Sequence, residues 1–129
     1  RIKYAAEINE YIEFVFREHE DLIYPPSILK SAKMNISMDD IIGHLKKSID
    51  ILKQVPDDKI SDREYLLNIF SQYCQMEKVD NRGEVLWPLR VSVTGLENSP
   101  DVFDVISVLG KKESPARIKY AIRLLKDYK

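Results

Sequence analysis

"VLWPLRVSVTG", residues 85–95, decides the fold class of this chain. Val91 and Val93 alternate with polar neighbours, as they would in a half-buried strand. Pro88 counts against a central strand, because it has no N–H to give to a ladder, and proline is favoured in the first turn of a helix. Gly95 is well placed to stop such a helix. On local grounds the two readings stand level, and the neighbouring segments must decide what kind of fold surrounds this one.

Those segments read as helices. In "SDREYLLNIFSQYCQM" (61–76), Ser61 and Glu64 have the spacing of a capping box ahead of Leu66, Phe70 and Tyr73. In "SMDDIIGHLKKSIDILKQV" (37–55), Ser37 caps with Asp40 three residues on, and Ile41, Leu45, Ile49 and Leu52 form the buried stripe. The loop "PDDK" closes that helix. Near the amino end, Tyr4, Ala5, Ile8, Tyr11, Ile12, Val15 and Phe16 recur at three and four residues. That pattern stops at "DLIYPPS" (21–27), where Pro25 and Pro26 cannot continue a helix. A short helix is expected around Ser27 to Met34. Beyond Gly95, "NSPDVFDVISVLG" (98–110) offers Ser99 as a cap, Pro100 at the first helical position, Asp101 at the positive helix start and Gly110 as the stop. "ESPARIKYAIRLLKDYK" (113–129) repeats the Ser-Pro start at Ser114 and Pro115, with Ile118, Ile122 and Leu125 on one face. The sum is an all-α chain of six or seven short helices without a sheet.

At 129 residues the chain has the length of one domain. The texture changes at "DNRGE" (80–84), which reads as a turn and divides a helical lobe, 1–80, from a carboxy-terminal helical lobe, 81–129. Hydrophobic residues at 44% and charged residues at 32% fit a soluble globular protein rather than a disordered one. No apolar run approaches the roughly 20 residues that span a bilayer, and the first residues are amphipathic rather than a signal peptide, so a cytoplasmic location is expected. Cys74 is the single cysteine, which leaves no intramolecular disulfide and no thiolate metal cluster. The chain begins at Arg1 with its helical pattern already running, as expected of a piece of a longer protein.

Little here supports catalysis. His19 and His44 are the only histidines, so histidine bases and metal ligands are scarce. His19 among Glu18, Glu20 and Asp21 fits a solvated acidic helix end better than a metal site. No P-loop, GxGxxG, GxSxG or CxxC occurs. No catalytic residue, metal ligand or bound cofactor is expected.

The net charge of -1 hides an uneven distribution. Residues 111–129 carry Lys111, Lys112, Arg117, Lys119, Arg123, Lys126 and Lys129 against only Glu113 and Asp127. Such a tail can face phosphates, although basic residues also suit the end of a last helix.

The stretch "GEVLWPLRVSVTGLENSPDVFDVISVLGKKESPARI" (83–118) resembles the carboxy-terminal end of bacterial-type glutamyl-tRNA synthetases. There a Pro-Leu-Arg run leads to Thr-Gly, then to Ser-Pro or Thr-Pro, then to Leu-Gly-Lys-Glu and an arginine on the final helix. Here these are Pro88, Leu89 and Arg90; Thr94 and Gly95; Ser99 and Pro100; Leu109, Gly110 and Lys111; and Arg117. Residues 1–80 share only texture with that family, in an aromatic-rich first helix with "EFVF" before a Tyr-Pro loop. The resemblance implies an all-α anticodon-binding domain, which tips residues 87–94 toward helix. It also implies an upstream catalytic Rossmann domain that uses ATP and magnesium, and the anticodon loop of tRNA-Glu as the partner of a monomer. Position by position, Arg90, Ser99, Pro100 and Val102 match the family's contacts to the first anticodon base, where unstacked bases are read by stacking and hydrogen bonds. Lys111, Arg117, Lys119 and Arg123 join the RNA-facing set. The resemblance also implies an arginine further upstream that reads the third base, for which Arg1, Arg17 and a residue before this stretch all stay open. Lys112, between Lys111 and Glu113, departs from the commonest pattern. A helical protein-interaction module without RNA binding is the alternative from the same helices.

Overall fold

In the computed structural model, residues 24–30, 36–79, 81–96 and 99–128 are described. Among them every regular element is helical, and the segment 85–95 is helix. Four α-helices follow a short 3-10 turn at Pro26–Leu29: α1 (Met38–Gln54), α2 (Arg63–Met76), α3 (Gly83–Thr94) and α4 (Val102–Tyr128), with a second 3-10 turn at Asp57–Lys59. The all-α expectation holds; the described residues show four α-helices rather than six or seven, and α4 contains, at Gly110, the break expected between its two halves. The helix expected over Tyr4–Phe16, and the residues Arg1, Arg17 and His19, lie outside the described residues.

Each start has a local cause. The Ser37 hydroxyl accepts the Asp40 N–H at 3.1 Å, and Asp39 and Asp40 sit in the positive first turn of α1. At α2 the cap is one residue later than the Ser61 spacing indicated. The Asp62 carboxylate takes the Tyr65 N–H at 3.1 Å, because a carboxylate at this place is as good an acceptor as a serine hydroxyl. α2 ends at a left-handed residue, Lys78 (φ 56), past which the Val79 N–H returns to the Cys74 carbonyl at 2.8 Å.

α3 explains its own ambiguity. Val91, Ser92, Val93 and Thr94 are all buried, together with Val85, Pro88 and Leu89. The last turn of α3, Val91–Thr94, is enclosed on all sides and shows no amphipathic stripe, so two valines spaced by two look like a strand. The Ser92 hydroxyl donates to the Leu89 carbonyl at 2.7 Å and that of Thr94 to the Arg90 carbonyl at 2.8 Å, which lets both lie in the core. Pro88 stands well inside the helix rather than in its first turn. Gly95 does stop it, in the left-handed conformation (φ 73, ψ 15).

α4 begins two residues later than the Ser99 cap indicated. The Asp101 carboxylate accepts the Phe103 N–H at 2.9 Å and Ser99 lies outside the helix. Gly110 (φ 86, ψ -179) is non-helical and divides α4 into two helices that meet at a kink. The residues after Gly110 are already helical at Ser114 and Pro115, so Ser114 does not cap: it is fully buried and its hydroxyl has no hydrogen-bond partner among the described residues.

One continuous core unites these elements, from Tyr24 and Leu29 through Leu45, Leu52, Leu66, Phe70, Leu89 and Ile106 to Leu125. α1 packs most extensively on α4, and α3 lies against both. At the centre sits Arg117, which has no exposed surface. Its Nε donates to Glu113 at 2.9 Å and its Nη1 to the Val93 carbonyl at 2.7 Å. Replacing Arg117 with Met is expected to destabilise the chain by about 3 kcal/mol, since it removes a charge-assisted hydrogen bond to Glu113 and leaves the buried Val93 carbonyl without its guanidinium donor. Urea denaturation followed by circular dichroism measures this.

Candidate nucleic-acid interface

α3 carries the site. Trp87 and Arg90 are three residues apart and share one face of the helix, so their side chains meet. The Arg90 guanidinium carbon lies 4.9 Å from the Trp87 ring centroid, within the range of a cation–π contact. Arg90 Nη1 donates to the Ser99 hydroxyl at 3.2 Å, and that hydroxyl donates to the Pro100 carbonyl at 3.2 Å. Trp87 Nε1 in turn donates to the carbonyl of Ile28 at 2.8 Å, which ties α3 to the Pro26–Leu29 turn. Arg90 is half-buried, and its desolvation lowers the guanidinium pKa from the ordinary value. Among the described residues no carboxylate pairs with it.

Arg90, Ser99 and Pro100 are therefore brought together, with Ser99 and Pro100 half-buried beside the guanidinium. Val102 is not with them. It is 6% exposed and packs in the core, because α4 turns it inward at its first residue. Lys111 is held by Asp57 at 3.2 Å. Arg117 is wholly enclosed, and a guanidinium with no exposed surface reaches no phosphate from this position. Lys119 and Arg123 are exposed, and Arg123 lies 6.0 Å from the Tyr120 ring. Spacings of seven, four and three residues put Lys112, Lys119, Arg123 and Lys126 along one exposed stripe of α4.

Sequence reasoning missed two participants. Trp87 had a readable signal, because it is the single tryptophan and sits three places before Arg90 in a helix. The Ile28 carbonyl had none, since a backbone acceptor 59 residues away carries no residue-type signature.

The family model described as "Anticodon binding domain" matches residues 1–122. The chain belongs to the anticodon-binding domain family. Among curated proteins it is similar to the glutamate–tRNA ligase of Clostridium novyi, 33% identical over 131 residues covering 98% of the chain and 25% of that protein. The glutamate–tRNA ligase of Clostridium acetobutylicum is 29% identical, covering 97% of the chain and 24% of that protein. That of Finegoldia magna is 28% identical over 94% of the chain and 22% of its own length. The chain thus spans about a quarter of the length of these relatives. No solved structure matches it. Among the described residues of this anticodon-binding domain, no cluster of three or more side chains could hold a metal ion, and no helix is long and apolar enough to cross a membrane.

The entry to α4, beside Ser99 and Pro100, is pinned by Asp101. Burial alone would raise the Asp101 pKa, but the Arg63 hydrogen bond at 2.8 Å, the amides of Phe103 and Asp104 and the Arg63 charge together hold it below the usual 3.8. A lowered folded-state pKa favours the carboxylate form, so this stabilisation is complete at neutral pH and is lost as pH falls through the lowered value. Asp101→Ala should lower stability by roughly 1 kcal/mol at pH 7. Its difference from the parent chain should shrink below pH 3.8, as thermal melts across pH would show.

Proposed function

We propose that this chain is the anticodon-reading part of a glutamate–tRNA ligase, with the anticodon loop of tRNA-Glu as its ligand. The observation that carries the reading is Arg90. In a member of the anticodon-binding domain family, this guanidinium is partly desolvated, laid against a tryptophan, hydrogen-bonded to Ser99 and unpaired by any carboxylate among the described residues. A structural arginine in a core finds a carboxylate, as Arg117 does. Arg90 instead keeps a planar donor surface at the protein boundary, suited to stacking on an unstacked base or bonding its edge. Ser99 and Pro100 supply a hydroxyl and a flat apolar ring beside it. The stripe of Lys112, Lys119, Arg123 and Lys126 supplies phosphate contacts, which place the RNA without reading its sequence.

The chemistry belongs to an upstream catalytic domain, which attaches glutamate to the tRNA with ATP and magnesium. This chain contributes recognition, as a monomer in the cytoplasm.

Arg90→Ala should leave the melting temperature nearly unchanged and weaken the cognate tRNA-Glu anticodon stem-loop by roughly 1–3 kcal/mol, the magnitude of one lost base stack. Lys119→Ala or Arg123→Ala should weaken cognate and mismatched stem-loops alike and lower the salt slope by about 1. Titrations at several salt concentrations measure both. Equal losses for cognate and mismatched loops in Arg90→Ala would reduce that residue to a phosphate contact.

A further inference from the structure

We infer that Trp87 is a positioning residue for base reading: anchored to the Ile28 carbonyl by its Nε1–H, it holds the Arg90 guanidinium flat, so that Arg90 offers its outer face to an unstacked base. The inference rests on the reading of Arg90 given above and goes beyond it, because it brings the Pro26–Leu29 turn into recognition from the far end of the chain.

Three observations lead there. Among the described residues Arg90 has one hydrogen bond to a side chain, at 3.2 Å to Ser99, which alone leaves its plane free to rotate. The second constraint is the ring 4.9 Å away, and stacking on a ring fixes the plane of a guanidinium where a hydrogen bond fixes only a direction. The ring itself is fixed by a 2.8 Å bond to the carbonyl of a residue in a rigid place. Pro25 and Pro26 restrict the backbone there, the Ile28 N–H closes on the Pro25 carbonyl at 3.1 Å, and Leu29 beneath is fully buried. Each link is a preorganising contact, and stacking partners that are already ordered lose less entropy on binding. Trp87 stands beside Arg90 with its ring centroid 4.9 Å from the guanidinium carbon, so an incoming base would meet Arg90 from the side away from the ring.

The test is a double-mutant cycle in the full 129-residue chain, read as the ratio of affinities for a cognate stem-loop and one substituted at the first anticodon base. Trp87→Phe keeps a ring under the guanidinium but removes the N–H. It should reduce that ratio by roughly fivefold in the parent chain and leave it unchanged in the Arg90→Ala background. The salt slope should not move in either background. A second variant leaves Trp87 and the turn intact: Arg90→Lys keeps the charge but loses the plane. It should lose discrimination to a similar degree and make the emission of Trp87, the single tryptophan, easier to quench with acrylamide.

Equal effects of Trp87→Phe in both backgrounds would overturn the inference, since Trp87 would then act on the RNA or the fold directly. So would full discrimination by Trp87→Phe or by Arg90→Lys. If Arg90→Ala itself keeps full discrimination, the reading of Arg90 falls and this inference falls with it. Loss in Arg90→Ala without loss in Trp87→Phe removes the positioning role alone.

Discussion

A charge sealed in the core sets the arrangement of the last two helices. The burial of Arg117 is supported by acceptors waiting for it, among them a carboxylate one turn back on its own helix and the Val93 carbonyl in the final turn of α3. The last carbonyls of a helix have no partner within it and carry its partial negative charge, so a guanidinium is well suited to that place. The contact joins α3 to the part of α4 beyond Gly110. Were α3 to slide by a turn, the guanidinium would face hydrocarbon, and an unpaired buried charge is far more expensive than any single packing defect. The same contact fixes the end of α3 and with it the place of Arg90, one turn upstream.

The two arginines of this region divide the work by their surroundings. Arg117 is enclosed and satisfied by a carboxylate and a carbonyl; Arg90 lies at the boundary, laid against an aromatic ring with a single hydroxyl acceptor. Residue type does not separate them, because both follow short apolar or helix-start motifs. What separates them is depth, and depth depends on which helices cover each position. For the same reason Val102, which follows a helix-start motif, is a core residue rather than an edge offered to a ligand.

Much of the fold was legible in residues whose reason is local. Ser37 and the stripe Ile41, Leu45, Ile49 and Leu52 gave α1, because capping and amphipathic spacing are properties of neighbours in the chain. The Ser61 reading missed its cap by one residue, since Ser61 and Asp62 are both good acceptors and only the backbone decides between them. The double start at Ser99 and Ser114 misled more seriously. Both Ser-Pro pairs have the right chemistry for a helix beginning, yet one helix starts at the Asp101 cap and the next resumes directly after Gly110, ahead of Ser114. The nearness of Arg90 and Ser99 was legible because the motif spacing keeps them close in the chain. The Trp87–Ile28 bond was not, because it depends on a chain reversal between distant segments.

The pairing of α1 with α4 has a consequence for how the molecule is made. The apolar stripe of α1 is synthesised early, but its main partner is the last helix, beginning at Val102. A ribosome delivers residues in order, so Leu45, Ile49 and Leu52 emerge long before the surface that covers them. α3 gives partial shelter as it appears. The order of synthesis therefore leaves the domain as an incomplete half-core until the helix beginning at Val102 has emerged, a state in which exposed helix faces favour sticking to one another and to chaperones. Closure waits on distant contacts rather than neighbouring ones, which slows folding relative to a bundle whose helices pair in sequence.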